Sequence, residues 1–378
     1  MAILTYAQEK WCEEHYAEAV ELLRTLGRIP APSHFEHMRA EFVRDWLKAQ
    51  GAKNVYLDEA LNVIYPIGAD TGAPVAVLMA HTDIVFPDMD PLEMREEGGC
   101  IYAPGIGDDT ANLVALMMAA KYIAENRPEP KIGVLVVANS CEEGLGNLKG
   151  SKQIMSDFDG RVREMISIDG GTDSVVNKAV GSCRMRITVR AQGGHSYGDF
   201  GNTNAIVQMA QLISRLYEKE PPKKARTTYN VGVIEGGTTV NSICGECSML
   251  YEYRSEDREC LFEMDGYFKK TVEEMRAGGM DISVEVLGVR PCSGDVDPAK
   301  LNELTARMQG LIGEITGKDV DSGAGSTDAN SALALGIPAV TIGAINGGGA
   351  HTRGEWVETG SLRQGLKIAL ATLVQYFD

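Results

Sequence analysis

The chain has 378 residues, 44% of them hydrophobic and 24% charged, which is enough for two domains of ordinary size around a substantial core. Its 53 acidic and 36 basic side chains leave a net charge of −17. That argues against nucleic acid as a partner, because phosphate binding needs a basic surface. No stretch approaches the roughly 18 to 20 apolar residues needed to cross a bilayer, and the N-terminus lacks a signal peptide's basic start and apolar run. The expected compartment is the cytoplasm, with no membrane association.

In chain order, Ala17, Val20, Leu22, Leu23 and Leu26 recur at helical spacing and predict a helix to about residue 28. Ile-Pro-Ala-Pro-Ser at 29–33 stops it, since proline cannot continue a helix. A second helix is expected over 34–49, ending at Gly51. Strands and helices then alternate: strand at 75–79, helix at 112–124, strands at 133–137 and 165–168. That alternation predicts an α/β fold with a mostly parallel sheet.

Near residue 180 the pattern changes. Met185, Ile187 and Val189 alternate with polar residues, and a helix carries Ile206, Met209, Ile213 and Leu216 on one face. Two alternating strands follow (Tyr229, Val231, Val233; then Cys247, Met249, Tyr251, Tyr253). A helix with Leu261, Met264, Phe268, Val272 and Met275 and a strand with Ile282, Val284 and Val286 complete the segment. The order β-α-β-β-α-β is ferredoxin-like, inserted into the first domain. After Pro291 the helix/strand alternation resumes and ends in a strand at 339–342 and a C-terminal helix. The eight cysteines are scattered. Cys244-x-x-Cys247 has no second pair, so it reads as buried packing rather than a redox or zinc motif.

Potential ligands stand just beyond strands or at a helix start, the edge at which open α/β sheets bind ligands. His81-Thr82-Asp83 follows the first of these strands. Gly105-Ile106-Gly107-Asp108-Asp109 precedes the 112–124 helix, and Glu142-Glu143 follows the apolar run 134–138. Asp169-Gly170-Gly171 ends the fourth segment, and Gly-Gly-Gly-Ala-His351 lies beyond the 339–342 strand. Taken singly, each has an ordinary reading: a structural histidine, a surface acid pair, an N-cap at Asp108-Asp109. Together they point to a metal site.

A mixed imidazole and carboxylate set suits zinc or a similar divalent ion. Five ligands around two ions, one carboxylate bridging, make a two-metal hydrolytic site. One of the adjacent glutamates then binds metal while the other works as a base. Asp83, two residues past His81, is placed to hold the imidazole N–H and fix its tautomer.

These segments resemble the di-zinc metallopeptidase family of peptidase T, carboxypeptidase G, the dipeptidases and the aminoacylases. The resemblance covers nearly the whole chain. It includes Pro32-Ser33, His-Thr-Asp, Gly-Asp-Asp, Glu-Glu-Gly, the inserted segment, Gly325-Ser-Thr-Asp-Ala-Asn330, Gly336-Ile-Pro-Ala-Val340, and His351 before Glu355-Trp356-Val357. It implies a zinc-exopeptidase-like catalytic domain, residues 1–178 and 290–378, interrupted by a ferredoxin-like lid and dimerisation domain, residues 179–289. Hinges are expected near 175–180 and 288–292.

The resemblance also implies roles. Asp108 bridges two divalent ions, zinc or else cobalt or manganese. His81 and Asp169 complete one shell, and Glu143 and His351 the other. Glu142 is the general base, Asp83 orients His81, and the Asp108–Asp109 peptide bond is cis. His195, in Gly193-Gly194-His195-Ser196, stabilises the oxyanion, often across a homodimer formed through the lid. Asn241 and Arg254 bind polar or carboxylate groups of the substrate, the alternative for Arg254 being a charge on an exposed edge strand. His15, His34 and His37 match nothing in the pattern and read as surface residues. Thr110 stands where many relatives carry lysine, and Arg353 adds a positive charge after His351.

In this family the ligand at the position of Asp169 is Asp in aminopeptidases and dipeptidases and usually Glu in carboxypeptidases and deacylases. The expected substrate is therefore a di- or tripeptide cleaved from its amino end. The alternative is an N-acyl amino acid, or a peptide cleaved from its carboxyl end. A non-catalytic peptide-binding protein of the same fold is a different class of answer, and the filled catalytic positions argue against it.

Overall fold

The computed structural model describes residues 3–378. The chain divides into two compact units, Met1–Ala179 with Gly294–Asp378, and Val180–Ser293. The second boundary falls a few residues beyond the expected 289/290. The strand Asp281–Arg290 stays paired with Gly181–Arg190 to its last residue, and the Cys292 thiol donates to the Ser255 carbonyl at 3.4 Å. Both contacts keep residues 290–293 with the inserted unit.

The first unit is built on an eight-stranded sheet. Its order is Tyr56–Leu57, Val63–Ile67, Gly133–Asn139, Val75–His81, Val162–Ile168, Ala339–Ile342, Ser174–Ala179, Asp321–Gly325. The central strands run parallel. Val75–His81 and Gly133–Asn139 are buried throughout, as expected where helices cover both faces. Successive side chains point to opposite faces. Ala76, Leu78 and Ala80 therefore join a core with the helices Asn112–Asn126 and Leu362–Val374, while Val75, Val77 and Met79 join another with Lys149–Asp157 and Ala329–Leu333.

Two features differ from the sequence reading. The N-terminal helix is two helices, Tyr6–Glu14 and Tyr16–Leu26, broken at His15 (φ −99°, ψ 4°), whose ring stacks on Trp11 with centroids 4.1 Å apart. A small antiparallel sheet also joins Gly347–Gly348, Trp356–Glu358, Cys100–Tyr102 and Arg95–Glu97. Its strands are two or three residues long, too short to show a period, but they fix where the loop after Ala103 meets the segment before Trp356.

The second unit has the antiparallel order Thr227–Gly236, Glu246–Ser255, Gly181–Arg190, Asp281–Arg290, with helices Ala205–Leu216 and Arg258–Ala277. Met185, Ile187 and Val189 pack with Met249, Tyr251 and Tyr253 against Met209, Leu212 and Phe268. Cys244 and Cys247 are free and buried in this unit. A short pairing of Gly194–His195 with Ser242–Ile243 was not foreseen.

Candidate metal centre

Two groups of side chains could each hold an ion: His81 with Asp108 and Asp169, and Asp108 with Glu143 and His351. Within each group the ligand atoms lie within 4.8 Å of one another. Asp108 belongs to both. Its Oδ1 is 3.1 Å from His81 Nε2 and its Oδ2 is 3.2 Å from His351 Nε2, which lies 3.3 Å from Glu143 Oε2. Two ligand atoms about 2.0–2.2 Å from one tetrahedral zinc lie about 3.3–3.6 Å apart, so the observed spacings are close to those of two shells sharing one carboxylate. Glu142 belongs to neither group.

Each ligand is placed by the end of a strand or the start of a helix. His81 closes the strand Val75–His81, paired with Asn139 in the next strand. Asp169 follows Val162–Ile168, and its N–H donates to the Ile342 carbonyl at 2.7 Å. Asp108 precedes the helix Asn112–Asn126, and its peptide bond to Asp109 is cis. Cys141, just before Glu142, and His351 both have left-handed backbone conformations, φ +56° and +63°. Such angles are uncommon for residues with a Cβ and mark sites whose geometry the surroundings impose.

Asp83, expected to orient His81, contacts both that ring and the acid pair. The His81 Nδ1 lies 3.1 Å from the Asp83 backbone carbonyl and 3.4 Å from its carboxylate. The carboxylate accepts the Ser33 hydroxyl at 2.6 Å and the N–H groups of Glu142 and Glu143, both at 2.9 Å. Asp83 thus meets the His81 Nδ1 with its backbone carbonyl and holds the backbone of the acid pair with its buried carboxylate. The Nδ1 side faces Asp83, leaving Nε2 for the ion.

Three further residues hold the centre and were not singled out from sequence. Glu355 accepts N–H groups from Gly107 at 2.7 Å, Asp108 at 2.8 Å and Gly105 at 2.9 Å. Glu36 accepts the N–H groups of Cys141 and His34, each at 3.0 Å. Arg39, fully buried, donates to the Thr82 carbonyl at 2.9 Å and to the Thr110 hydroxyl at 3.2 Å. A charge on the buried face of an amphipathic helix, as at Arg39 beside Ala40 and Val43, is the one signal that would have flagged it.

The electrostatics favour cations. Burial, then the Asp108 charge, raises Asp169 to about 7. Burial also lifts Asp109 well above the ordinary carboxyl range and raises Asp328. Asp109 Oδ1 and Asp328 Oδ1 are buried with no hydrogen-bond partner. Burial opposes the charge on Asp108 too, but His351 and His81 outweigh it and hold that carboxyl well below its usual range. Hydrogen bonds donated to the Asp108 and Glu143 carboxylates raise His351 to about 10. Buried acids in this number need positive partners, and the donor set and spacing fit two divalent ions.

The other candidates stand on the second unit. His195 is exposed, and its Nδ1 accepts the N–H groups of Gly198 at 3.1 Å and Tyr197 at 3.3 Å. In the neutral ring this leaves Nε2–H as a donor. Asn241 lies next to it, its backbone carbonyl accepting the Ser196 N–H at 2.9 Å. Arg254 sits on a central strand, not an edge, and forms a bidentate pair with Glu252 at 2.9 and 3.0 Å. In the first unit, Arg353 pairs with Asp88, and Thr110 donates to the Gly105 carbonyl at 2.5 Å. His34 and His37 are exposed.

A family profile described as Peptidase family M20/M25/M40 matches residues 77–375. The chain belongs to that family. This M20 chain is 27% identical over 327 residues to an acetylornithine deacetylase of Myxococcus xanthus, covering 82% of each protein. Its structure is similar to that of aminopeptidase PepT from Bacillus cereus, with a TM-score of 0.70 and 21% identity over 94% of this chain and 97% of the other. It is also similar to a Bacillus subtilis dinuclear metal binding peptidase from M20 family, with a TM-score of 0.65 and 16% identity over 97% and 98%. At such identities the structural likeness speaks for the fold. The M20 chain is a hydrolase, and the five ligand residues are its candidate metal-binding set. No helix among the described residues is long and apolar enough to cross a membrane.

Proposed function

We propose that this M20 hydrolase is an aminopeptidase of di- and tripeptides that uses two zinc ions, with cobalt or manganese able to replace them. The observation that carries the reading is the ligand group His81–Asp108–Asp169, in which the third ligand is the shorter carboxylate, as in the aminopeptidases and dipeptidases that the sequence resembles. When bound, the two ions supply an acidified water and a polarised carbonyl. Glu142, held beside Glu143 by its N–H bond to Asp83, takes the water's proton and returns it to the leaving amine. Asp108 and its neighbours supply the negative charge that holds the ions. His195 is proposed as the donor to the oxyanion, and Asn241 and Arg254 as substrate contacts.

A second reading, N-acyl amino acid hydrolysis, is favoured by the similarity to the deacetylase. A panel of tripeptides, dipeptides and N-acetyl amino acids, assayed with added zinc, cobalt or manganese, separates the two. Hydrolysis confined to free-amine peptides supports the first reading, and hydrolysis confined to acylated compounds overturns it.

Self-association of the second unit forms part of the proposal. Thr227–Gly236 lies at the edge of its sheet with Val233 and Ile234 exposed, and Ile206 and Val207 are exposed on the adjoining helix. An unpaired edge beside apolar side chains favours pairing with a second copy. Sedimentation equilibrium that returns a monomer at micromolar concentration would remove this part. The compartment proposed is the cytoplasm.

A further inference from the structure

We propose that Arg353 and Asp88 form a clasp that holds His351 in its ligand position, making Arg353 a positioning residue for one of the two ions; this rests on the metal reading above. His351 is the one exposed ligand of the five, its side chain 59% accessible. It stands on a segment with Gly347, Gly348 and Gly349 before it and Gly354 after it. Glycine leaves such a backbone free to take many conformations. The hydrogen bonds within the loop are local: Thr352 N–H donates to the Gly349 carbonyl and Glu355 N–H to the Thr352 carbonyl. The pairing of Gly347–Gly348 with Trp356 and Val357 and the Glu355 carboxylate anchor the two ends of the loop, and His351 stands between those anchors.

Arg353 supplies a tie from within the loop itself. Its Nη1 is 3.0 Å from Asp88 Oδ1 and its Nη2 is 2.8 Å from Asp88 Oδ2. The guanidinium carbon lies 5.0 Å from the centre of the Phe86 ring. Asp88 and Phe86 belong to the loop that leaves His81-Thr82-Asp83. The clasp therefore joins the segment of one ligand histidine to the segment of the other. A two-pronged bond with an aromatic face beneath it sets direction as well as distance. An exposed ion pair adds little to global stability. Here its effect falls on the stretch between the loop's two anchored ends, and so on the spacing of His351 from Asp108 and Glu143.

The consequence is asymmetric. His81 is buried at the end of a central strand, and the group His81–Asp108–Asp169 has no member on the His351 loop. Loss of the clasp weakens the group Asp108–Glu143–His351 alone.

Calorimetric titration of the metal-stripped protein with Co2+ tests this. The wild type is expected to bind two ions per chain. Arg353→Ala and Asp88→Ala should each weaken one ion about tenfold and leave the other ion and the urea midpoint unchanged. Arg353→Lys, which keeps the charge but lacks the planar fork, should remain weakened. The exchange Arg353→Asp with Asp88→Arg should recover the lost affinity. Alanine variants that bind both ions as tightly as the wild type would overturn the clasp and leave the metal centre standing. A wild type that binds no ion would overturn both.

Discussion

Glu355 accepts the backbone N–H of Asp108 at 2.8 Å across 247 residues of chain, with the same oxygen taking Gly107 and the other taking Gly105. The carboxylate is buried, and it sets the position of the one ligand common to both groups. Glu355→Ala leaves three N–H groups, two of them fully buried, without an acceptor. It should cost on the order of 3 kcal/mol in urea denaturation and lower metal affinity by about 10- to 100-fold. Glu355→Gln, which keeps one acceptor oxygen, should fall between. An unchanged affinity for both ions in Glu355→Ala would show that the Gly105–Asp108 turn holds its shape unaided.

Glu142 stands outside both ligand groups while Glu143 stands in one. Glu142→Ala should therefore bind two ions as the wild type does and lose about 10²- to 10⁴-fold in kcat on a tripeptide. Metal analysis of the purified variant, run beside its kinetics, checks both halves. Activity close to wild type would remove Glu142 as the base.

The pKa shifts give the metal-stripped protein a definite pH dependence. Asp169 and Glu355 are each raised to about 7 from 3.8 and 4.5. The folded state holds those protons more tightly than the unfolded state, so this stability is full below about pH 4 and is lost as pH rises through 7. His351, raised from 6.5 to about 10, extends the loss upward from about pH 6.5. Asp108 and Asp83 are lowered and act in the opposite sense, but only at acid pH. The urea midpoint of chelator-treated protein should thus fall between pH 5 and 8. Divalent ions compete with the same protons, and a free ion concentration near 100 times Kd should add about 2.7 kcal/mol per site. A midpoint that rises with pH in the stripped protein would contradict the assignment.

His195 is exposed and makes local contacts around its own turn. His195→Ala should leave thermal stability unchanged and lower kcat by about 10²- to 10³-fold, the scale of losing one oxyanion donor. If the residue serves a second copy, mixing His195→Ala with Glu142→Ala subunits should return part of the activity. Equal kcat in the variant and wild type would exclude the role.

The positions of the candidate ligands that the structure brings together were visible in the sequence. His81, Asp169 and Glu143 follow apolar runs, and a chemical side chain at the end of a buried strand is a local pattern. The β-α-β-β-α-β order of the second unit was legible for the same reason, since its strands run ten residues and show their period. The break at His15 and the small sheet that carries Trp356 were not, because a two- or three-residue strand has no period to read.

The residue types and their order along the chain therefore determined the fold class, the family and the donor set. The tertiary structure decided how the donors divide, with each oxygen of Asp108 turned to a different histidine, and what holds them there. Glu355, Asp83 and Arg39 act on segments 43 to 250 residues distant, through backbone N–H and carbonyl groups. Every residue but proline carries such an N–H, so no spacing of side chains reveals which carboxylate will accept it. That choice is made only when the strands bring the loops together.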